Sequence, residues 1–184
     1  MREYVLTYLV TRCSSERDHY MGGVLTTDGR GLPLEFSYTD PPVEPTRLQR
    51  VLFGAALDGY IRREVIGASL LRNLEQRPDL VLSADEALLE RAHVVNCPVV
   101  WVQATTSKPI GERGATQPIS ATQHLLQLTD KSSPIRVECA SDAEGLQSAV
   151  QTILLDVAET TDVLDPINRV TEALDLIARG AHEE

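Results

Sequence analysis

The sequence predicts a mixed α/β fold, in which N-terminal antiparallel hairpin strands join βαβ-type units in one mixed sheet flanked by helices. Three patterns indicate this fold: alternating apolar strands up to residue 45, a long helical stripe over 46–76, and short strands alternating with capped helices over 78–180. With 184 residues, 42% of them hydrophobic, the chain can bury a core of its own. We therefore expect a single domain over 1–184.

The N-terminal part is expected to contain strands at 4–11, 20–27 and 32–38. Asp28-Gly29 lies between the second and third strands, and this dipeptide favours the positive backbone angles of a tight hairpin turn. Pro33 lacks an amide donor, which places the third strand at a sheet edge. Three apolar side chains alternate with polar ones along this strand and are candidates for partner binding by strand addition: Leu34, Phe36 and Tyr38.

A long helix is expected over 46–76, because Thr46 and Gln49 match a capping box. Three glycines interrupt the helical pattern, and each predicts a kink, a break or a close packing contact: Gly54, Gly59 and Gly67. Of these, Gly59 is the expected break.

The C-terminal part is expected to alternate strands at 80–82, 97–103 and 135–138 with helices. Each helix is predicted from a local start signal, namely Ser83 with Glu86, Ser120 with Gln123, Ser141 with Glu144, and Asp165 followed by Pro166. Gly180 marks the end of the last helix. The polar stretch 104–119 is expected to be a loop.

A candidate ligand site follows from these strand ends, because ligands of open α/β sheets bind beyond the carboxyl ends of the strands. If the strands are parallel neighbours, the segments that begin at Ser83, Thr105 and Cys139 meet at one rim. A small anionic ligand would then contact hydroxyl, carboxylate and basic groups from these residues: Ser83, Asp85, Thr105, Thr106, Lys108 and Arg113. The alternative is a plain surface loop, since no phosphate-loop spacing is present.

Catalytic and metal motifs are not recognised. Cys13, Cys97 and Cys139 show no paired or metal-type spacing, and the four histidines are scattered along the chain. No GxSxG string is present. The sequence therefore predicts no catalytic residue, no metal site and no cofactor, and it leaves open whether the protein is an enzyme.

The charge balance adds a further expectation, since 27 acidic residues exceed 17 Lys and Arg. The formal net charge of −10 repels phosphate backbones, so nucleic acid is an unlikely partner. Several arginines nevertheless lie in the helical stretch: Arg47, Arg50, Arg62, Arg63, Arg72 and Arg77. No secretion signal or membrane-spanning run is recognised, so a cytoplasmic location without membrane contact is expected.

Two functional hypotheses follow. The first is a non-catalytic protein-interaction or regulatory subunit, an adaptor or scaffold of a multi-protein system, with a protein partner or as a homodimer. It depends on the exposed strand edge and the missing catalytic motifs. The alternative is a small anionic-ligand or nucleotide-binding domain, possibly a hydrolase, with its site at the carboxyl ends of the strands.

Overall fold

A computed structural model describes residues 3–14, 19–91, 94–142 and 144–180 and contains one eight-stranded sheet. The strands are β1 (Val5–Ser14), β2 (His19–Asp28), β3 (Pro33–Tyr38), β4 (Leu80–Ser83), β5 (Val99–Ala104), β6 (Thr116–Pro118), β7 (Gln123–Leu126) and β8 (Ile135–Cys139). Their order in the sheet is β3-β2-β1-β4-β5-β8-β7-β6. β1, β4 and β5 are parallel, and the other neighbours are antiparallel. The predicted mixed α/β class is confirmed.

The helices lie in two groups. The first is an interrupted helix made of α1 (Arg47–Phe53), a 3-10 turn (Gly54–Ala56), α2 (Leu57–Tyr60), a π-helix (Ile61–Gly67) and α3 (Ala68–Arg72). A 3-10 helix (Glu86–Arg91) follows β4. The second group is α4 (Glu144–Ala158) and α5 (Asp165–Ala178). None of the described helices is long and apolar enough to cross a membrane.

Both faces of the central strands are buried. Along β1, Leu6 and Tyr8 belong to a core cluster shared with α4 and α5, whereas Leu9 belongs to a second cluster shared with the interrupted helix. This alternation follows from the two-residue period of a strand. One sheet thus separates two apolar layers, and the expectation of one domain over 1–184 stays a prediction.

Asp79 aligns β4 with β1 where both strands begin. Its backbone N–H donates to the Val5 carbonyl at 2.8 Å, and its carboxylate accepts the Val5 N–H at 3.0 Å. The ladder continues from Leu6 opposite Leu80 to Leu9 opposite Ser83. The two halves of the sequence are therefore joined by a short parallel pairing in the middle of the sheet.

The three glycines of the interrupted helix have three different roles. Gly54 adopts a positive φ of 52° and ends α1, so the break lies there and the expectation that it lies at Gly59 is wrong. A Cβ at Gly67 would come within 2.5 Å of the Leu88 side chain and 2.9 Å of the Arg62 carbonyl. At Gly59 the nearest atom would be 3.9 Å away. Only Gly67 permits a close approach, which brings the π-helix against the 3-10 helix.

The expectation of a helix after Ser120 is wrong, because this segment forms β7. The Ser120 hydroxyl accepts the Gln123 N–H at 3.1 Å, as a helix cap would, but the Ile119 N–H also donates to the Gln123 carbonyl. The side-chain bond therefore serves a hairpin turn between β6 and β7, an alternative that Ser readily supports. His124 and Leu126 are buried while their neighbours are half-buried, which is the period of a strand.

Replacement of Gly67 tests the close approach of the π-helix. Gly67→Ala should lower the free energy of unfolding by about 1–3 kcal/mol, because the added methyl overlaps Leu88 and the Arg62 carbonyl. Gly59→Ala is the matched control and should be neutral or stabilising by up to about 1 kcal/mol. Urea unfolding followed by circular dichroism measures both. Equal effects at the two positions would contradict this packing.

His124 predicts a pH dependence of stability. Burial lowers the pKa of this imidazole below its usual value. The unfolded chain, in which His titrates near ~6.5, therefore binds more protons below that pH than the folded chain does. Stability from this residue is present above about pH 6.5 and is lost as the pH falls. His124→Gln should flatten the melting-temperature profile between about pH 7.5 and pH 5, and a profile as steep as that of the unaltered protein would contradict this role.

Candidate functional site

The candidate site lies at the carboxyl ends of β1 and β4, two parallel neighbours in the middle of the sheet. After β1 the chain continues to β2 on one side, and after β4 it continues to β5 on the other side. Strands whose connections diverge in this way leave a crevice at their carboxyl ends. Here the crevice is a cavity of about 380 Å³ with these lining residues: Val10, Thr11, Arg62, Ala84, Asp85, Glu86 and Trp101.

Arg62 of the π-helix is at the centre of the polar contacts in this cavity. Its Nη1 donates to the Thr11 hydroxyl at 2.9 Å and lies 3.3 Å from Asp85 Oδ2. Its Nε donates to Asp58 Oδ2 at 2.9 Å, one helical turn earlier. The Thr11 hydroxyl in turn donates to Asp85 Oδ2. These contacts connect the end of β1, the end of β4 and the interrupted helix.

The electrostatics of Arg62 follow from these contacts. Its burial disfavours the charged form, but hydrogen bonds and the nearby charges of Asp58 and Asp85 outweigh burial and raise the pKa of the guanidinium. The group is therefore fixed as a cation, and its charge is balanced by two carboxylates. Since Glu86 also lines the cavity, the described side chains make the cavity acidic overall.

Ser83 and Asp85 hold the end of β4 in shape. The buried Ser83 hydroxyl donates to the Leu9 carbonyl at 2.8 Å and accepts the Asp85 N–H at 3.0 Å. Asp85 Oδ1 accepts the Ala87 N–H at 3.1 Å and so caps the 3-10 helix. Asp85, rather than Ser83, is therefore the residue that caps the helix after β4.

Trp101 of β5 forms the opposite wall of the cavity. Its indole Nε1 donates to the Ala84 carbonyl at 3.1 Å, and the side chain is almost fully buried. Ala84 itself is exposed at the mouth. The cavity thus combines an aromatic wall, a small residue at its opening and a fixed row of hydrogen-bonding groups.

The remaining predicted ligand residues lie elsewhere. Thr105 lines a different cavity, of about 520 Å³, next to the turn between α4 and α5, and its hydroxyl donates to the Pro134 carbonyl. Thr106 and Lys108 are exposed in the loop after β5. Arg113 Nη2 donates to the Leu155 carbonyl and to Glu159, each at 2.8 Å, at the carboxyl end of α4. Their roles as ligand contacts stay predictions.

The third predicted segment, which begins at Cys139, does not reach the same rim. β8 runs antiparallel to β5, with Cys139 opposite Val100 and Ile135 opposite Ala104. The end of β8 therefore lies beside the start of β5. The expectation that three strand ends meet depended on parallel strands and is wrong for this one.

The edge strand β3 lies where Pro33 predicted it, at one end of the sheet. Phe36 and Tyr38 stack with ring centroids 5.9 Å apart, so they share a face, and Tyr38 packs against the main core. Leu34 lines a cavity of about 440 Å³ beside Tyr4 and Asp156. The Glu35 carboxylate accepts the N–H groups of Glu75 and Gln76. This part of the edge is thus tied to the end of the interrupted helix.

Among the described residues, neither a group of metal ligands nor a thiol with a lowered pKa accompanies the polar contacts of the cavity. Within the described ranges, no three His, Cys, Asp or Glu side chains are grouped to hold a metal ion. Burial raises the pKa of the Cys97 and Cys139 thiols to about 11, which keeps both protonated at neutral pH.

Among the solved structures that match this chain are two bacterial endonuclease V structures that cover nearly all of it. Endonuclease V of Bacillus subtilis aligns with a TM-score of 0.64 and 15% identity, covering 97% of this chain and 84% of its own. Endonuclease V of Streptomyces avermitilis aligns with a TM-score of 0.58 and 17% identity, covering 96% and 82%. The chain shares the fold of these endonuclease V structures. No protein-family model and no curated protein sequence matches it.

The endonuclease V likeness corrects the main functional expectation. A non-catalytic adaptor or scaffold was expected, and the structures that share the fold are named as nucleases, so that expectation is wrong. The same finding overturns the expectation that nucleic acid is an unlikely partner, because the structures that share the fold are named as endonucleases. The alternative, a nucleotide-type ligand at the strand ends, agrees better with the endonuclease V fold.

Of the residues that line the cavity, only Asp85 was predicted as a ligand contact; Thr11, Arg62 and Trp101 are the side chains whose contacts matter most among those that sequence reasoning missed. Thr11 ends an expected strand, but nothing local shows that β1 pairs with β4. Arg62 is one of the six arginines noted in the helical stretch, but nothing in the sequence shows which of these arginines enters the cavity. A small signal was the spacing of Asp58 and Arg62, since residues four apart on a helix can form an ion pair.

A double-mutant cycle tests the contacts of Arg62. Arg62→Ala and Asp85→Ala should show a coupling free energy of about 0.5–3 kcal/mol in urea unfolding, because both side chains are only about one-fifth exposed. Arg113 and Glu159 form the control pair, 2.8 Å apart with 40% and 55% exposure. Their coupling should be below about 1 kcal/mol. If Arg62 and Asp85 couple no more than the control pair, the contact does not persist in solution.

Proposed function

We propose that the protein binds nucleic acid, with part of the ligand inside the cavity at the ends of β1 and β4. The observation that carries this proposal is the cavity itself, a crevice at the ends of two parallel strands whose connections diverge, with hydrogen-bonding groups held in place around it. The shared fold with two endonuclease V structures supports the choice of ligand.

The acidic lining favours a nucleobase over a phosphate inside the cavity. The side chains of Asp85 and Glu86 are acceptors, and nucleobases carry amino and imino N–H donors that pair with carboxylates. A phosphate at this place would face both carboxylates, while the positive charge of Arg62 is already balanced. The phosphates are therefore expected outside the cavity.

Filling the cavity tests this proposal without breaking its polar contacts. If the protein binds nucleic acid, its addition should raise the fluorescence anisotropy of labelled DNA and RNA oligonucleotides of about 20 nucleotides. Ala84→Phe, which places a ring at the mouth, should weaken binding by roughly tenfold or more, as removal of a base-stacking side chain does. Ala121→Phe, at another exposed alanine, is the control. Unchanged binding by Ala84→Phe would place the ligand elsewhere, and no binding by the unaltered protein would refute the proposal.

A second candidate function is hydrolysis of the bound nucleic acid. It is favoured by the carboxylate of Asp85, which lies on the cavity beside the Thr11 hydroxyl and could accept a proton from water. Labelled oligonucleotides incubated with the protein and Mg²⁺ or Mn²⁺ should be shortened on a denaturing gel. Asp85→Asn should abolish cleavage but weaken binding far less, because the amide keeps one acceptor oxygen for the nucleobase. Intact oligonucleotides with both metals would dismiss this function.

The cytoplasmic location and the single domain over 1–184 also remain proposals. Three cysteines without a disulfide among the described residues fit a reducing, cytoplasmic location. The continuous sheet and its two apolar layers fit a single folding unit over 1–184. Cooperative unfolding with coincident fluorescence and circular dichroism transitions would support that unit.

A further inference from the structure

The helix α1 has an apolar face that no other described element covers. None of its residues is buried, and three aliphatic side chains at the spacing i, i+3 and i+4 share one side: Leu48, Val51 and Leu52. Their exposures are 66%, 73% and 71%. Scattered exposed leucines are ordinary, but three on one helical face form a patch of the kind that marks a binding surface.

The exposed helix is held by its own ends rather than by the core. Thr46 accepts the Gln49 N–H at 3.2 Å, and the Gln49 side chain accepts the Thr46 N–H at 2.8 Å, which completes a capping box. Gly54, with its positive φ, ends the helix and turns the chain toward buried Leu57. A capped helix can therefore project its apolar face from the protein.

The charge around this helix is opposite to that of the whole chain. α1 contains Arg47 and Arg50, interleaved with the aliphatic residues, and no acidic residue, whereas the chain has a formal net charge of −10. A local basic segment on an acidic protein attracts a polyanion to this place and repels it elsewhere.

An aromatic pair connects α1 with the cavity. The rings of Phe53 and Tyr60 lie 4.6 Å apart, and each side chain is more than one-third exposed. Tyr60 directly precedes the π-helix that carries Arg62 into the cavity. Aliphatic, aromatic and basic side chains thus follow one another along the chain from α1 to the residue that enters the proposed ligand site.

We infer that α1 and the Phe53–Tyr60 pair bind single-stranded nucleic acid, with unpaired bases on the apolar side chains and phosphates at Arg47 and Arg50. This inference rests on the proposed function and specifies that the bound nucleic acid is single-stranded. Base faces are accessible to such side chains only when they are not stacked inside a duplex, and aromatic and apolar platforms with flanking arginines are typical of single-strand binding. A second copy packed symmetrically through α1 would place Arg47 and Arg50 against the same arginines of the other chain, so this repulsion favours a nucleic acid as the occupant.

The salt dependence of the affinity distinguishes contacts between apolar side chains and bases from contacts between arginines and phosphates. Binding of labelled single-stranded and duplex oligonucleotides is measured by anisotropy between about 50 and 200 mM salt, the range over which phosphate contacts are most visible. The unaltered protein should prefer the single strand. Leu48→Gln/Val51→Gln/Leu52→Gln should weaken single-strand binding roughly tenfold or more with the salt slope unchanged. Arg47→Gln/Arg50→Gln should lower the slope by about 0.7 for each phosphate that the protein no longer neutralises.

Matched controls are available for both variants. Leu176→Gln changes an exposed leucine on α5, and Arg30→Gln changes an exposed arginine at the β2–β3 turn. Neither should alter affinity. Because α1 buries none of its residues, all variants should keep the melting temperature of the unaltered protein, which calorimetry checks.

The outcomes distinguish this inference from the proposed function. Single-strand binding that Ala84→Phe weakens and the triple glutamine variant leaves unchanged would overturn the role of α1 and keep the cavity. A preference for duplex would also overturn it. A dimer in light scattering that the triple variant dissociates would show that a second copy covers α1. Absence of nucleic-acid binding would overturn both proposals.

Discussion

The parallel pairing of β1 with β4 is the contact on which the rest of the structure depends. It covers only four residue pairs, from Leu6 opposite Leu80 to Leu9 opposite Ser83, yet it joins the N-terminal hairpin strands to the C-terminal half. Both core clusters extend across it, so each apolar layer is completed by side chains from both halves. It also brings Thr11 and Asp85 together, because both follow the paired residues at the same edge of the sheet.

The candidate site combines this pairing with a helix that approaches the sheet unusually closely. Gly67 allows the π-helix to contact Leu88, and the same helix presents Arg62 to the strand ends. Irregular turns such as π-helices often occur at functional sites, because they direct a side chain that a regular helix would turn away. Arg62 then compensates the charge of Asp85 in a partly buried place, where an unpaired carboxylate would be destabilising.

Local sequence signals predicted the elements but not their long-range pairing. The hairpin turn after Asp28, the edge position of Pro33 and the last helix ending before Gly180 were predictable, because each depends on the backbone preference of one or two residues. The positive φ of the turn is at Gly31, however, and not at Gly29. The segment after Ser120 was assigned wrongly, since one side-chain bond stabilises either a helix cap or a hairpin turn. The segment that begins at Cys139 does not reach the predicted rim for a similar reason, because strand direction depends on partners distant in sequence. The position of Asp85 after a strand was predictable, whereas the entry of Arg62 into the cavity was not.

The two hydrogen bonds between Asp79 and Val5 have a consequence for how the sequence can vary. They fix the alignment of the two central strands where these begin, so the preceding connection, residues 73–78, does not have to set it by its length. Residues could be added to or removed from that connection without shifting the crevice, since a displacement of one position would turn every side chain of β4 to the opposite layer. Related chains could therefore differ in this connection and still preserve the geometry around Arg62.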